Sequence, residues 1–523
     1  MTEPAANPVD QITRGYTFDE PAIELGVLME DDAPVVDAKI RIPLSMLNRH
    51  GLVAGATGTG KTKTLQLMAE QISAAGVPVF AADIKGDLSG LASPGVVSEK
   101  LTARTQKIGQ AWTPLGCPTE FFALGAQGVG VPLRATMSSF GPVLLSKVLG
   151  LNDTQESSLG LVFHYADQAG LPLLDLADLR AVLMHLTSDE GKAELKSIGG
   201  LSSTTVGVIL RELIGLADQG ADDFFGEPEF DTRDFLRVAP DGRGIVSLLE
   251  LPNLIDRPAI FSTFLMWLLA DLFHDLPEVG DIDKPKLVFF FDEAHLLFAD
   301  ASKDFLDAIA QTVRLIRSKG VGVFFVTQTP KDVPDDVLAQ LGSRVQHQLR
   351  AHTPNDAKAL KQTVNTFPKS HYDLAETLQQ LGIGEAIVTV MDPDGAPTPV
   401  AWTRMRAPQS LMAPTPADEL ANGVRYSSLM TKYGTPIDRD SAREVLARKL
   451  EAGAAQAEAE AQAEQAQREA ARPPAAPRAR TTRVKEDKSV VEEVITSSAF
   501  RDVARTATRE IFRSIFGTAR KGR

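Results

Sequence analysis

The chain has 523 residues, of which 43% are hydrophobic, and a formal net charge of −14. That length allows a sizeable core and more than one domain, and the acidic balance argues against a generally basic nucleic-acid-binding surface. The single cysteine excludes a disulfide framework and a cysteine-based zinc site, and it fits a reducing cytoplasm, where we expect the protein to reside.

Residues 1–50 contain short alternating runs of apolar and polar residues, which predict a small β segment ahead of the core. A phosphate-binding loop of the pattern G-x-x-x-x-G-K-[ST] follows. It consists of Gly55, Ala56, Thr57, Gly58, Thr59, Gly60, Lys61 and Thr62. Residues 52–54 predict a strand before the loop and residues 63–75 a helix after it, which places a bound anion at a helix N-terminus.

Such a loop binds the polyphosphate of a nucleoside triphosphate. Its glycines let successive backbone N–H groups curl around the phosphates, while Lys61 reaches the β- and γ-phosphates and the Thr62 hydroxyl binds Mg²⁺. A chance match in a glycine-rich turn is the alternative, but the order of strand, loop and helix argues against it.

A second strand is predicted at residues 77–82, and Asp83 and Lys85 follow it closely. They would lie at the same sheet edge as the phosphate loop, since parallel strands end together. We expect them to contact the nucleotide or to belong to a coupling loop, although an ordinary surface turn explains their spacing equally well.

The middle of the chain divides into an insertion and a resumed α/β pattern. Residues 101–240 are mostly helical in pattern and too long for a crossover, so they predict a helical insertion subdomain. The core then comprises residues 51–100 and 241–410. Its most apolar stretch, residues 259–273, is about 15 residues long, short of the ~20 that span a bilayer. We therefore predict a buried helix and no transmembrane segment.

A strand predicted at residues 286–291 ends in Asp292 and Glu293. Carboxylates at the carboxyl edge of an α/β sheet lie where ligands bind. Asp292 would hold Mg²⁺, and Glu293 would orient and deprotonate the water that attacks the γ-phosphate. For this segment alone, a buried strand with a polar end is the alternative. Together with the phosphate loop, the two carboxylates predict an ATPase that uses ATP and Mg²⁺.

The strand predicted at residues 321–327 also ends in polar residues. Thr327 or Gln328 would emerge beside the γ-phosphate, and an amide there can sense it; an ordinary strand exit is the alternative. A cation is also needed to neutralise charge in phosphoryl transfer. The candidates are Arg314, Arg317 and Arg344, of which we favour Arg317, given in trans by a neighbouring subunit.

The end of the chain changes character. Residues 385–391 predict an edge or return strand, and residues 411–488 a helical and linker region that is partly disordered. Residues 489–523 predict a basic amphipathic helix, within a stretch from 473 onward that has 12 Lys/Arg against 6 Asp/Glu. This helix would contact an anionic membrane surface, DNA phosphates or a neighbouring subunit, or would simply be solvated.

These features together resemble the HerA-like branch of the HerA–FtsK superfamily of motor ATPases, and most of all its bacterial members with a short N-terminus. The resemblance covers about residues 20–410. The motifs that carry it are residues 48–62, 82–90, 290–295, 317–328 and 381–388.

The resemblance implies a RecA-type P-loop core with a mostly parallel central sheet, assembled as a hexameric ring with ATP sites between subunits. It assigns phosphate and magnesium binding to Lys61 and Thr62, magnesium binding and catalysis to Asp292 and Glu293, γ-phosphate sensing to Gln328 and the arginine finger to Arg317. Relatives translocate double-stranded DNA, some with a nuclease. About 50 residues precede the loop here, so the nuclease-docking β-barrel of archaeal relatives is abbreviated or absent.

Two functions follow from these observations. The first is a ring motor that translocates or remodels double-stranded DNA. The second is an oligomeric ATPase that acts on a protein partner, or a scaffold whose assembly is controlled by nucleotide. The second is favoured by the net charge of −20 that remains for residues 1–472, since residues 473–523 carry +6 of the total of −14.

Overall fold

The computed structural model describes residues 7–470 apart from 126–127, 189, 198, 252–257, 281 and 299–302. The chain divides into two compact units, residues 1–451 and residues 452–523. The strands are β1 Ala22–Glu30, β2 Ala33–Pro43, β3 Gly51–Ala54, β4 Val79–Asp83, β5 Thr119–Leu124, β6 Val131–Leu133, β7 Val246–Glu250, β8 Leu287–Phe291, β9 Val321–Thr327, β10 Ser343–Gln346, β11 Glu385–Thr389 and β12 Ala401–Met405.

The helices alternate with these strands in the core and follow one another in two helical stretches. They are α1 Pro8–Gly15, α2 Lys61–Ala74, α3 Glu99–Lys107, α4 Met137–Val148, α5 Asp153–Gln168, α6 Leu176–Thr187, α7 Gly191–Ser197, α8 Ser203–Asp218, α9 Pro258–Asp275, α10 His295–Phe298, α11 Lys303–Ile316, α12 Asp335–Leu338, α13 Pro354–Val364, α14 Leu374–Gln380, α15 Ala417–Arg425, α16 Ser428–Tyr433 and α17 Ala442–Ala470.

All twelve described strands form one sheet in the order β2-β1-β12-β11-β10-β3-β9-β8-β4-β7-β5-β6. Pairing is parallel from β10 through β6 and antiparallel from β10 through β2. The phosphate loop thus leaves the centre of the sheet, between β9 and β10. The predicted RecA-type α/β fold with a mostly parallel sheet is confirmed.

The central strands are apolar along their whole length because both faces of the sheet are covered. Alternate residues of β8 point into different cores: Phe289 and Phe291 belong to a cluster with α9 and α11, whereas Phe290 belongs to a cluster with α2 and β1. The predicted strand at residues 321–327 coincides with β9. Continuous apolar runs of this length predict such strands well.

The sheet includes more of the chain than we predicted. β5 and β6 lie within residues 101–240 and extend the parallel sheet past β7, so helices alone occupy only the later part of that segment. Of the two alternatives for residues 385–391, an edge or a return strand, the structure has a return strand, since β11 is interior and runs antiparallel to both β10 and β12. The N-terminal β segment is a hairpin that joins the sheet through β12 and follows α1.

The stretch after the sheet also contributes to the core. Leu429, Tyr433 and Leu446 are buried, and the Tyr433 hydroxyl donates to Asp234 Oδ2 at 2.7 Å. We predicted helix and linker for residues 411–488. The first part of this segment, up to the start of α17, is packed against the core. The predicted basic helix at residues 489–523 lies outside the described residues.

The apolar stretch at residues 259–273 falls within α9, as predicted. Ile260, Phe264 and Leu268 on this helix are buried in the core. Among the helices of the described residues, none combines the length and hydropathy needed to cross a bilayer.

Candidate nucleotide site

The phosphate loop connects β3 to α2, so its N–H groups lie at the start of a 14-residue helix. Gly58 and Gly60 have φ of 82° and 116°, which L-residues with a side chain rarely adopt. Lys61 Nζ donates to the carbonyl oxygens of Gly55 at 2.7 Å and Ala56 at 3.3 Å. Burial lowers the pKa of Lys61. The lysine side chain thus lies inside the loop, and its contact with the β- and γ-phosphates stays a prediction.

His347 connects the first turn of α2, directly after the loop, to β11, and it was not predicted. Its Nε2 lies 2.9 Å from Thr64 Oγ1 and its Nδ1 lies 2.8 Å from Glu385 O. Because a carbonyl only accepts, Nδ1 donates and Nε2 accepts the Thr64 hydroxyl. Complete burial lowers the pKa of His347 to about 4, so the ring is neutral. A histidine directly after a strand gave no signal that distinguished it in the sequence.

Asp292 and Glu293 follow β8, two strands from β3, and both are buried. Asp292 Oδ1 accepts from the Glu293 N–H at 2.9 Å, while Oδ2 is buried without a hydrogen-bond partner. Burial, followed by repulsion from Glu293, raises the pKa of Asp292 to about 7. A bound cation would relieve both effects, so this orphaned oxygen fits a Mg²⁺ ligand.

The other magnesium ligand that we predicted, Thr62, lies in the first turn of α2 and is half-buried. Among the described residues, no group of three or more His, Cys, Asp or Glu side chains could hold a metal ion by itself.

Glu293 is flanked by two side chains and has a backbone φ of 48°. Lys85 forms an ion pair with Glu293 Oε1, and His295 Nδ1 lies 3.2 Å from Oε2. Although partial burial acts to lower it, the ion pair with Glu293 raises the pKa of Lys85. Lys85 is therefore a neighbour of the predicted catalytic base.

Asp83 holds the turn that presents Lys85. Its carboxylate accepts from the backbone N–H groups of Gly86 at 2.7 Å, Asp87 at 3.2 Å and Leu88 at 2.7 Å. Burial raises the pKa of Asp83 to about 6. Asp83 is thus a scaffold for the turn.

Glu250 is a further buried carboxyl at this edge, at the end of β7, and was not predicted. Burial raises its pKa to about 8, and repulsion from Asp83 and Asp87 adds to the effect. Its Oε1 has no hydrogen-bond partner. Four carboxyl groups therefore lie along the ends of β4, β7 and β8.

Gln328 follows β9, the strand next to β3, and is exposed. The Thr327 carbonyl accepts from the Gly55 N–H at 3.3 Å, while the Thr327 hydroxyl donates to Asp332 Oδ2 at 2.9 Å. Of the two candidates for a γ-phosphate sensor, Thr327 already uses its carbonyl and its hydroxyl in hydrogen bonds. Gln328, the next residue, has an exposed side chain.

The three candidate arginines are at the opposite edge of the sheet, where the parallel strands begin. Arg314, Arg317 and Arg344 line one cavity of about 520 Å³. Arg344 Nη1 donates to Thr366 O at 3.0 Å. The phosphate loop follows the other end of β3. Within one chain, these arginines do not meet the loop.

Two residues that we did not predict line the same cavity, Arg49 and His50 directly before β3. The backbone N–H of Val323 donates to His50 Nδ1 at 3.1 Å, and burial lowers the pKa of His50 to about 4. No Asp or Glu is among the residues that line the cavity. It is therefore a basic surface concavity.

The profile of the helicase HerA-like C-terminal family matches residues 29–523. A probable helicase of Methanocaldococcus jannaschii is 33% identical over 153 residues, which are 27% of this chain and 28% of that protein. The DNA double-strand break repair helicase HerA of Saccharolobus solfataricus is 20% identical over 392 residues, 74% of this chain and 69% of the relative.

Solved structures of the plasmid coupling protein TrwB share the fold. Its complex with a non-hydrolysable ATP analogue has a TM-score of 0.51 and 16% identity, and covers 78% of this chain and 94% of TrwB. Its complex with ADP and Mg²⁺ has a TM-score of 0.51 and 15% identity, over 77% and 93%. At this identity the likeness concerns the architecture of the sheet and helices.

Proposed function

Because the chain belongs to the helicase HerA-like C-terminal family, we propose that it is a ring-forming ATPase that translocates or remodels double-stranded DNA in the cytoplasm. The observation that supports this most is the arrangement of two half-sites. The phosphate loop with Asp292 and Glu293 lies at one sheet edge, and a basic cavity with three candidate arginines lies at the other.

Each residue of the first half-site has a role in ATP hydrolysis. Lys61 and the loop N–H groups bind the β- and γ-phosphates, and Thr62 and Asp292 hold the magnesium ion. Mg²⁺ held by these two residues would neutralise charge on the phosphates. Glu293 orients the attacking water and accepts its proton, and Gln328 contacts the γ-phosphate.

The second half-site acts on a neighbouring chain. Arg317 reaches the ATP of the next subunit and neutralises charge in the transition state, with Arg314 and Arg344 as the other candidates. A head-to-tail contact that presents one edge to the other closes into a ring, for which a hexamer is the expected size.

Double-stranded DNA is the proposed substrate because the Saccharolobus relative is described as a DNA double-strand break repair helicase. We expect ATP hydrolysis to rise on addition of duplex DNA, and Lys61→Ala and Glu293→Gln each to abolish it. Hydrolysis that is indifferent to linear, circular, nicked and single-stranded DNA would contradict the proposal.

Two further proposals concern partners. One is a nuclease or other protein partner, and the other is a contact of residues 489–523 with DNA, a membrane or a neighbouring subunit.

The second candidate function is an ATPase that acts on a protein partner or serves as a nucleotide-controlled scaffold. It is favoured by the net charge of −20 of residues 1–472, obtained as −14 minus the +6 of residues 473–523. A negative charge of this size repels a polyanion such as DNA. Affinity capture of the Glu293→Gln protein with ATP separates the two functions. Recovery of DNA without a stoichiometric protein contradicts this candidate, and the reverse contradicts the DNA motor.

A further inference from the structure

One arginine outside the predicted set contacts the phosphate loop of its own chain. Arg350 lies between β10 and α13, and its Nη2 donates to Thr57 O at 3.5 Å. Thr57 is the third residue of the loop. The three candidate arginines, by contrast, line a cavity where the parallel strands begin. Arg350 therefore reaches the loop without a neighbouring subunit.

The position of this contact within the loop shows which end of a bound triphosphate it is near. Lys61 Nζ donates to the carbonyl oxygens of Gly55 at 2.7 Å and Ala56 at 3.3 Å. Three successive carbonyls at the start of the loop thus accept from two cationic side chains. The lysine of such a loop reaches the β- and γ-phosphates. The guanidinium on the next carbonyl therefore lies beside the same end of the triphosphate.

The backbone before Arg350 is attached to the loop on one side and to a helix on the other. The Ala56 N–H donates to Gln348 O at 2.8 Å. Leu349 is 6% exposed, and its N–H donates to Leu378 O of α14 at 2.9 Å. The position of Arg350 beside the loop therefore does not depend on the contact of its own side chain.

The guanidinium can exchange its carbonyl contact for a phosphate. A distance of 3.5 Å is at the limit for a hydrogen bond, so little is lost when this contact breaks. Arg350 and Thr57 are both exposed, and the described part of the chain places no carboxylate in an ion pair with Arg350. Arginine binds phosphate through paired, charged hydrogen bonds that are roughly twice as strong as neutral ones. A γ-phosphate beside Thr57 is therefore a better partner than the carbonyl.

From these observations we infer that Arg350 is a catalytic residue that acts in cis, by contacting the γ-phosphate bound in the loop of its own chain. As water attacks the γ-phosphorus, the bond to the β–γ bridging oxygen breaks and Glu293 takes the proton of the water. Arg350 exchanges no proton and stabilises charge on the γ-phosphate oxygens. The inference rests on the ATP site of the proposed function, but it requires no DNA.

The first test is equilibrium binding by calorimetry in the Glu293→Gln background, in which ATP is preserved. Arg350→Ala should weaken the binding of ATP with Mg²⁺ by about tenfold, and that of ADP with Mg²⁺ by less than about twofold, because only ATP carries a γ-phosphate. Arg350→Lys should recover part of the ATP affinity, since it restores the charge without the paired geometry. The matched control is Lys358→Ala, an exposed cation on α13, which should leave both affinities unchanged.

The second test uses mixed assemblies to separate a cis from a trans role. Arg350→Ala alone should lower kcat by about 100-fold or more. A cis residue belongs to the same half-site as the phosphate loop, so an equal mixture of Arg350→Ala and Lys61→Ala should recover no hydrolysis. A mixture of Arg350→Ala and Arg317→Ala should recover about a quarter of the normal rate, because about a quarter of the interfaces then combine two intact halves.

Several outcomes would overturn the inference. Recovery with Lys61→Ala and none with Arg317→Ala would place Arg350 in trans. No recovery in either mixture, despite verified co-assembly, would mean that Arg350→Ala disables both halves. An unchanged ATP affinity, an equal loss for ATP and ADP, or an equal loss in the Lys358→Ala control would also contradict a γ-phosphate contact.

Failures of the proposed function are recognised separately. Hydrolysis by the unmodified protein that duplex DNA does not stimulate would contradict the DNA motor and leave the cis arginine in place. Normal hydrolysis by Arg317→Ala would contradict the trans arginine, and the binding test would still decide the role of Arg350. A parent protein that binds neither ATP nor ADP would contradict the ATP site and this inference together.

Discussion

The carboxylate of Glu293 is positioned by a residue that belongs to a different strand. Lys85 lies on the turn after β4, and three backbone hydrogen bonds to Asp83 keep that turn in place. Lys85 is 43% exposed, whereas Glu293 is 4% exposed, so the ion pair joins a solvated lysine to a buried base. The pair fixes the orientation of the Glu293 carboxylate, so Lys85 is a positioning residue.

We therefore expect Lys85→Ala to lower kcat for ATP hydrolysis by about tenfold with little change in KM, because it disturbs the base and leaves the phosphate contacts intact. Lys85→Arg should retain most of the activity, since it preserves the charge. Steady-state kinetics across both variants measure this. A kcat for Lys85→Ala at or above that of the unmodified protein would contradict a positioning role.

Glu250 gives a prediction for pH. Burial raises its pKa from 4.5 to about 8, so the folded chain binds an extra proton between these values. Its contribution to stability is present below pH 4.5 and is lost as the pH rises to about 8. Glu250→Gln removes the titration, and its Tm relative to the unmodified protein should rise by about 2 °C or more between pH 5 and pH 8. The exposed Glu451→Gln should show no such trend; a pH-independent difference for Glu250→Gln would contradict the shift.

Some residues of the site were predictable and others were not, for a physical reason. The phosphate loop, Asp292 and Glu293 occupy fixed positions relative to a strand, so spacing alone locates them. His347 and Glu250 act through neighbours distant in sequence, such as Thr64 and Asp83. These residues come together only because of the order of the strands in the sheet. The spacing of residues in one sequence does not indicate that order.

At the scale of elements, the same distinction holds. Buried parallel strands such as β8 and β9 are continuous apolar runs and were predicted within one residue. β5 and β6 were missed, because short strands among helices are decided by their pairing, here of β5 with β7 and of β6 with β5. The identification of a HerA-like ATPase is confirmed by the family match. It was possible from the sequence because the motifs that carry it lie on the predictable strands.

The helical insertion is joined to the sheet by aromatic contacts, which leads to a stability prediction. Phe235 follows the insertion helices, and its ring centroid lies 5.0 Å from that of Phe80 on β4 and 5.2 Å from that of Phe122 on β5. Phe235→Ala should cost about 3–5 kcal/mol of the free energy of unfolding, because a buried ring is lost and a cavity remains. Denaturant unfolding measures it, with the nearby exposed Val238→Ala as control. A cost below about 1 kcal/mol would mean that insertion and sheet are not packed as one core.

At the scale of the whole molecule, the proposed function makes oligomerisation a condition for activity, because the candidate arginines lie far from the phosphate loop of their own chain. The phosphate loop follows β3 at one edge of the sheet, and Arg49 precedes β3 at the other. In the proposed ring, each chain would therefore contribute its phosphate loop to one ATP site and its arginine to the next. Defects in the two halves should then be separable between subunits.

We expect Lys61→Ala and Arg317→Ala each to lack ATP hydrolysis, and a mixture of the two to recover part of it. In a ring assembled from equal amounts, about a quarter of the interfaces combine an intact loop with an intact arginine. Hydrolysis by co-assembled subunits should therefore approach about a quarter of the normal rate if sites act independently. The control is Lys61→Ala mixed with the Lys61→Ala, Arg317→Ala double variant, which has no intact interface. Recovery in the control would mean that Lys61→Ala leaves the loop active. No recovery in the test mixture despite verified co-assembly would place the catalytic arginine elsewhere, and repeating the mixture with Arg314→Ala and with Arg344→Ala would identify it.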